Sequence, residues 1–134
     1  MDTSLRISIA SDQDIVAARQ MGRQLAAQVD KFSPSDLTVI ASAISEIVRN
    51  IVEYAGRGEV EISLIEHRDR RGILIVARDQ GPGIPDIALA LQDGYSTSGS
   101  LGVGLPGARR LMDEFEVQSP NGQGTTVTMR KWAR

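Results

Sequence analysis

Ile73-Leu74-Ile75-Val76-Ala77-Arg78-Asp79-Gln80-Gly81-Pro82-Gly83-Ile84-Pro85 runs from an unbroken apolar stretch into a glycine-punctuated loop, with one carboxylate close to the junction. Five consecutive apolar residues read as a strand covered on both faces, the habit of a strand in the middle of a sheet. Asp79 falls at the strand's end, where a carboxylate can accept a hydrogen bond. Gly81 and Gly83 come next. A residue without Cβ permits positive φ or lets the backbone approach a ligand closely. The stretch has two readings, a plain Asp-X-Gly turn or the wall of a binding site, and its neighbours decide between them.

Upstream, Glu59 to Glu66 alternates apolar and polar, and the polar turn Asp69-Arg70-Arg71-Gly72 joins it to the apolar strand as a hairpin. Helical spacing of Ile15, Ala18, Gly22, Leu25 and Val29 predicts a helix over about 13–29, capped by Ser11 or Asp12. Ser33-Pro34-Ser35 ends it and starts a second helix, over about 35–55, which stops before Gly56-Arg57-Gly58. Leu5 to Ile9 alternates as a first strand. Downstream, residues 79–107 hold seven of the thirteen glycines, with a short helical pattern at about 86–92 and a polar run from Asp93 to Ser100. Leu105-Pro106 opens a helix to about Asp113, proline suiting a first helical turn. Phe115–Ser119 and Gln123–Lys131 read as a closing hairpin around Asn121-Gly122. The expected architecture is an α/β two-layer sandwich, one domain over 1–134. Its helices lie on one face of a mixed, mostly antiparallel sheet.

Composition narrows the functions. A chain of 134 residues can bury roughly two-thirds of its extended surface. Apolar residues at 41% argue against disorder, and aromatics at 4% leave the core to Ile, Leu, Val and Ala. A formal charge of −2 argues against a nucleic-acid partner. Cysteine is absent and His67 is the single histidine, so disulfides, thiolate sites and multi-histidine metal sites are excluded. No apolar run approaches the roughly 20 residues of a spanning helix. The N-terminus has Asp2 and no apolar leader core. A cytoplasmic domain with no membrane partner is expected.

Two further features carry chemistry. On the second helix, taking about 100° per residue from Leu37, Ala41, Ile44, Val48, Ile51, Val52 and Ala55 share one face. Glu46 and Asn50, one turn apart, fall on the opposite face with Glu53. That is either a solvated helix back or a polar pair turned to a ligand. Then Gly99-Ser100-Leu101-Gly102-Val103-Gly104 feeds a helix N-terminus. Such a loop is a phosphate cradle or merely a turn with no ligand.

In order along the chain stand Glu46 and Asn50 on a helix, Asp79-X-Gly81-X-Gly83, Gly102-X-Gly104 before a helix, and Gly124-Thr125 on a late strand. This ordered set resembles the GHKL ATPase superfamily with its Bergerat ATP-binding fold. Within it the chain is similar to bacterial anti-sigma-factor serine/threonine kinases, above all those of stressosome type. The likeness is carried by Asp14-Ile-Val-Ala-Ala-Arg-Gln20, Ile44-Ser-Glu-Ile-Val-Arg-Asn50, Asp79-Gln-Gly-Pro-Gly-Ile-Pro-Asp86, Ser96-Thr-Ser-Gly99, Gly102-Val-Gly-Leu-Pro-Gly107 and Arg110-Leu-Met-Asp-Glu-Phe115. The resemblance implies ATP and Mg²⁺ as cofactors. It implies Asn50 as the Mg²⁺ ligand, Glu46 as general base and Asp79 as acceptor for the adenine amino group. Gly81, Gly83 and Ile84 would line the nucleotide, Gly83 letting the backbone pass close to the base. Thr125 would help bind adenine. Ser96, Thr97, Ser98 and Gly99 would begin a lid over the phosphates that continues through Gly102, Val103 and Gly104 to the helix opening at Leu105.

The implied activity is protein serine/threonine kinase action in a partner-switching stress pathway. Substrates would be STAS-domain antagonist and scaffold proteins, with a second target such as a phosphatase N-terminal region. The alternative is a nucleotide-gated module that sequesters a partner with little catalysis. Glu46 favours the enzyme, since sequestration needs no base. The chain departs from some relatives in having no Lys or Arg between Arg78 and Arg109, so the γ-phosphate contacts are open. His67-Arg68-Asp69 mimics another kinase class, but the Asn required five residues later is Leu74. A Walker A loop is excluded because the only lysines are Lys31 and Lys131.

Overall fold

Alternation builds the sheet and sets its two faces. The computed structural model describes residues 3–81, 104–119 and 124–134. In it β1 (Ser4–Ile9), β2 (Gly58–His67), β3 (Arg70–Asp79), β4 (Glu114–Gln118) and β5 (Thr125–Trp132) form one sheet in the order β1-β2-β3-β5-β4. All four pairings among the described residues are antiparallel. The apolar stretch 73–77 lies in β3, at the centre of the sheet, as its composition predicts. Two rows cross the covered face: Ile7, Val60, Ala77, Val127, Val117 and Leu5, Ile62, Ile75, Met129, Phe115. The other face carries ion pairs Arg6–Glu61 (2.9 Å), Arg78–Glu59 (3.6 Å) and Arg130–Glu114 (3.4 Å).

Helices α1 (Asp12–Ala26), α2 (Pro34–Asn50) and α3 (Gly104–Leu111) close the core. Helix α2 packs on both α1 and α3. Its Ile40, Ile44, Ile47 and Val48 join Val60, Ile62, Ile73, Ile75 and Met129 in one cluster. Ser33 caps α2: its hydroxyl accepts from Asp36 N at 3.0 Å, while Asp36 accepts from Ser33 N at 2.9 Å. Pro34 follows where its missing N–H costs nothing. Helix α1 ends three residues earlier than the spacing predicts. Tighter bonds from Gln28 N to Leu25 O and from Val29 N to Ala26 O take over, and Val29 still reaches the core.

Two differences from the sequence reading have clear causes. Helix α2 does not run on uniformly to residue 55. Ile51–Ala55 forms one turn of π-helix, closed by Gly56 N to Ile51 O at 2.8 Å, with Gly56 at φ 83° ending it. Its wider winding leaves Glu53 and Tyr54 exposed and turns Ala55 toward the loop after β3. The β2–β3 turn is Arg68-Asp69, not residues 69–72, and both φ values are positive, 50° and 66°. Gly72 belongs to β3, because a Cβ there would stand 2.5 Å from Lys131 O and 2.8 Å from the Trp132 ring. The glycine serves cross-strand contact rather than the turn. Expected segments at 86–92 and around 121–122 lie outside the described residues.

Left-handed backbone costs a residue that carries a Cβ roughly 1–2 kcal/mol, and two-residue hairpin turns of this kind favour Asn-Gly. The double substitution Arg68→Asn, Asp69→Gly is therefore expected to stabilise the fold by about 1 kcal/mol. A higher urea midpoint at unchanged slope is the result to look for; an unchanged or lower midpoint contradicts the assignment of strain to this turn.

Candidate functional site

The end of β3 is pinned from both sides. Asp79 pairs with Gly58 of β2 and with Thr125 of β5. Its side chain turns back on the adjoining loop, where Gly81 N donates to Oδ1 at 2.9 Å. Burial pushes the Asp79 carboxyl above its ordinary range, and backbone N–H groups of Gly81 and Thr125 pull it part of the way back. A half-buried carboxylate in a ring of backbone donors is primed to gain from one more donor. Beside it the Thr125 hydroxyl lies 3.4 Å from the Ser119 hydroxyl, and Ser119 also donates to Gly124 O at 2.7 Å.

Glycine is required at two places in this corner. A Cβ on Gly81 would come within 2.6 Å of the Ala55 Cβ and 2.9 Å of its Cα, so the loop lies directly on the π turn. Gly124 has φ +71°, its N–H donates to Gly81 O at 2.9 Å, and a Cβ there would meet Asp79 O at 2.6 Å. Both contacts are with backbone or with a short, fixed side chain, and neither can yield. The sequence reading singled out the Gly124-Thr125 pair but gave a binding role to Thr125 alone and none to Gly124. It also missed Ala55 and Ser119, whose roles depend on contacts that no local pattern encodes.

On α2, Glu46 and Asn50 do not form a solvated back. The Glu46 side chain is only 15% exposed, and Asn50 is half-buried. Ala43, on the same side of the helix as Asn50, is fully buried. Arg49 Nη1 donates to Glu46 Oε1 at 2.9 Å. The carboxylate and the carboxamide thus sit one turn apart on the helix whose last turns abut Gly58 and Gly81: Ile51 touches the former and Ala55 the latter.

Of the other predicted site residues, Gly104 opens α3, and the Leu105 side chain lies in the hydrophobic core at 6% exposure. Gly83, Ile84, Ser96, Thr97, Ser98, Gly99, Gly102 and Val103 lie outside the described residues. Among those described, no cluster of three or more His, Asp or Glu could hold a metal by itself. A cation here would need to take most of its ligands from a bound nucleotide and water, which is the habit of Mg²⁺. No helix among the described residues is long and apolar enough to cross a membrane.

A five-stranded antiparallel sheet backed by helices, with an Asp-X-Gly loop against a helix bearing Glu and Asn, defines a GHKL-type ATP-binding domain. The profile of the histidine kinase-like ATPase domain matches residues 9–131. The chain belongs to that family, and within it to the protein serine/threonine kinases of partner-switching systems. It is 50% identical over 128 residues to the serine/threonine-protein kinase RsbT of Bacillus subtilis, covering 96% of each chain. It is 30% identical over 137 residues to an anti-sigma F factor of Clostridium kluyveri, covering 97% of this chain and 94% of that one. Among solved structures, a mycobacterial sensor histidine kinase, MprB, shares the fold at a TM-score of 0.58 and 17% identity, over 97% of this chain and 99% of that one. The residue pattern read as a GHKL kinase thus agrees with family, relatives and fold.

Two outcomes are expected of this corner. Gly124→Ala should destabilise the protein by about 1–3 kcal/mol in denaturant unfolding, since strain and overlap act together; wild-type stability would mean that the junction can relax. In the ligand-free protein the Asp79 carboxyl, followed by carbon NMR, should titrate above the ordinary 3.8. The sign comes from burial, which disfavours the charged form. A midpoint at or below 3.8 would show that the two backbone donors outweigh desolvation.

Proposed function

We propose that the chain, a single catalytic domain in the cytoplasm, uses Mg²⁺-ATP to phosphorylate a serine or threonine of a STAS-domain antagonist or scaffold protein. It then engages a second target, such as a phosphatase N-terminal region. The observation that supports this best is Glu46: a carboxylate 15% exposed, one turn ahead of a half-buried Asn50, on the helix that ends against the Asp79 loop. A module that only sequesters a partner has no use for that carboxylate.

The division of labour rests on chemistry. Asp79 accepts from the adenine amino group, with Thr125 beside it. Asn50 offers a neutral oxygen to Mg²⁺. Glu46 accepts the proton of the substrate hydroxyl as the new O–P bond forms and the bond to ADP breaks. When bound, Mg²⁺-ATP supplies the phosphoryl group and neutralises its charge. The protein supplies position and a proton acceptor, which is most of what phosphoryl transfer asks of it. Gly104 and Leu105 would offer backbone N–H groups to the phosphates at the start of α3, and Gly102 and Val103, which precede them in the sequence, would continue that contact.

Two measurements test this reading. Asp79→Asn should weaken ATP binding by about 10- to 150-fold, since a charged hydrogen bond is lost and a donor is placed against the adenine amino group; unchanged calorimetric affinity removes Asp79 from the site. In phosphate transfer from labelled Mg²⁺-ATP to the STAS-domain protein encoded beside it, wild type should act, and Glu46→Ala should lose about 10²- to 10⁴-fold while still binding nucleotide. Asn50→Ala should fail through loss of Mg²⁺. ATP binding without transfer by wild type would instead identify a nucleotide-gated binding module.

A further inference from the structure

Glu46 carries its charge into a site where only 15% of the side chain meets solvent. A carboxylate so placed needs a charged or hydrogen-bonded partner, or burial is costly. Arg49 provides one from the next turn, Nη1 to Oε1 at 2.9 Å, with its own side chain 37% exposed. This is no ordinary surface pair, whose worth is about 0–1 kcal/mol and whose geometry is loose. The less exposed member is the group to which the proposed reaction assigns the proton, and the directional bond from the guanidinium N–H fixes where one of its oxygens lies. Arg49 also lies between Glu46 and Asn50 in sequence, on the same helix.

Building on the reading of Glu46 as general base, we propose that Arg49 is a positioning residue that aims the Glu46 carboxylate for proton transfer. Arg49 acts through Glu46, not on the nucleotide. Its contribution falls on the chemical step and leaves the affinity for Mg²⁺-ATP alone. A misplaced base is costly, because a displacement of about 1 Å can cost on the order of 100-fold in rate. Lysine carries the charge without the fork, so it restores the partner but not the full constraint.

The test is a double-mutant cycle read by single-turnover transfer to the STAS-domain protein, alongside calorimetric Mg²⁺-ATP binding. Arg49→Met keeps the aliphatic stem and removes the charge. It should lower the transfer rate by about 10- to 100-fold with nucleotide affinity unchanged. Arg49→Lys should recover part of that loss. In a Glu46→Ala background Arg49→Met should cost nothing further, because residues that act as one unit are not additive. Circular dichroism of the full chain checks that each variant is folded, and the lysine variant carries the test if the methionine variant is not. Three results overturn the proposal: a wild-type rate for Arg49→Met, a loss expressed in ATP affinity, or a loss that adds to that of Glu46→Ala. A Glu46→Ala protein with full activity, or a wild type with none, overturns the assignment of the base itself and leaves Arg49 nothing to aim.

Discussion

The structure turns on one backbone junction, the hydrogen bond from Gly124 N to Gly81 O at 2.9 Å. It ties the loop after β3 to the start of β5 at the level of Asp79. The junction exists only because two Cβ atoms are missing. One would overlap Ala55 at 2.6 Å and the other Asp79 O at the same distance. The arrangement of this whole end depends on that closeness. Asp79 is held between two strands, its carboxylate is drawn into backbone donors, and the end of α2 is brought onto the same loop. Strand pairing alone would place Asp79 opposite Thr125, but it would not bury the carboxylate.

The π turn is the counterpart on the helical side. An α-helix continued through residue 55 would keep Ala55 in line with Leu37 and Val48, facing the core. The wider turn at Ile51–Ala55 instead frees Ala55 to meet Gly81, while Ile51 stays buried at 2% exposure and touches Gly58. Gly56, at φ 83°, then reverses the chain into β2. Inserted turns of this kind often lie at functional sites because they re-aim the next stretch of chain without disturbing the packed helix before it. Here the undisturbed part holds Glu46, Arg49 and Asn50.

The fold was legible where pattern is dense. Alternation in β1 and β2, the apolar centre of β3, and the 3.6-residue spacing of α1 and α2 give the right elements in the right layers. Asp79, Glu46 and Asn50 were legible as types in order, since an Asp-X-Gly-X-Gly box and an acidic-amide pair are rare in combination. What escaped depends on three dimensions. The fully buried Ala43 shows that the supposed back of α2 is covered, yet on a helical wheel it looks like any small residue. Gly72 resembled a turn glycine because it comes after charged residues, and it takes the Lys131 carbonyl and the Trp132 ring across the strand to explain it. The Arg49–Glu46 pair has the commonplace spacing of exposed ion pairs. Its depth, not its spacing, sets it apart.

The two ends of the site are therefore built on different principles. The Asp79 end is made of backbone: two strand pairings, two glycines, and N–H groups from Gly81 and Thr125 around one carboxylate. Backbone geometry changes little with ligand or partner, so this end suits steady recognition of a fixed chemical group. The Glu46 end is made of side chains on one helix, held by an ion pair and open to the rotamer of an arginine still 37% exposed. Positions of that kind respond to what arrives beside them. If Glu46 is the base, as proposed, nucleotide affinity can stay constant while the readiness of that base changes. On the proposed reading, the separation of the two ends makes this possible: nucleotide recognition would rest on backbone geometry, and proton transfer on one side chain held by another.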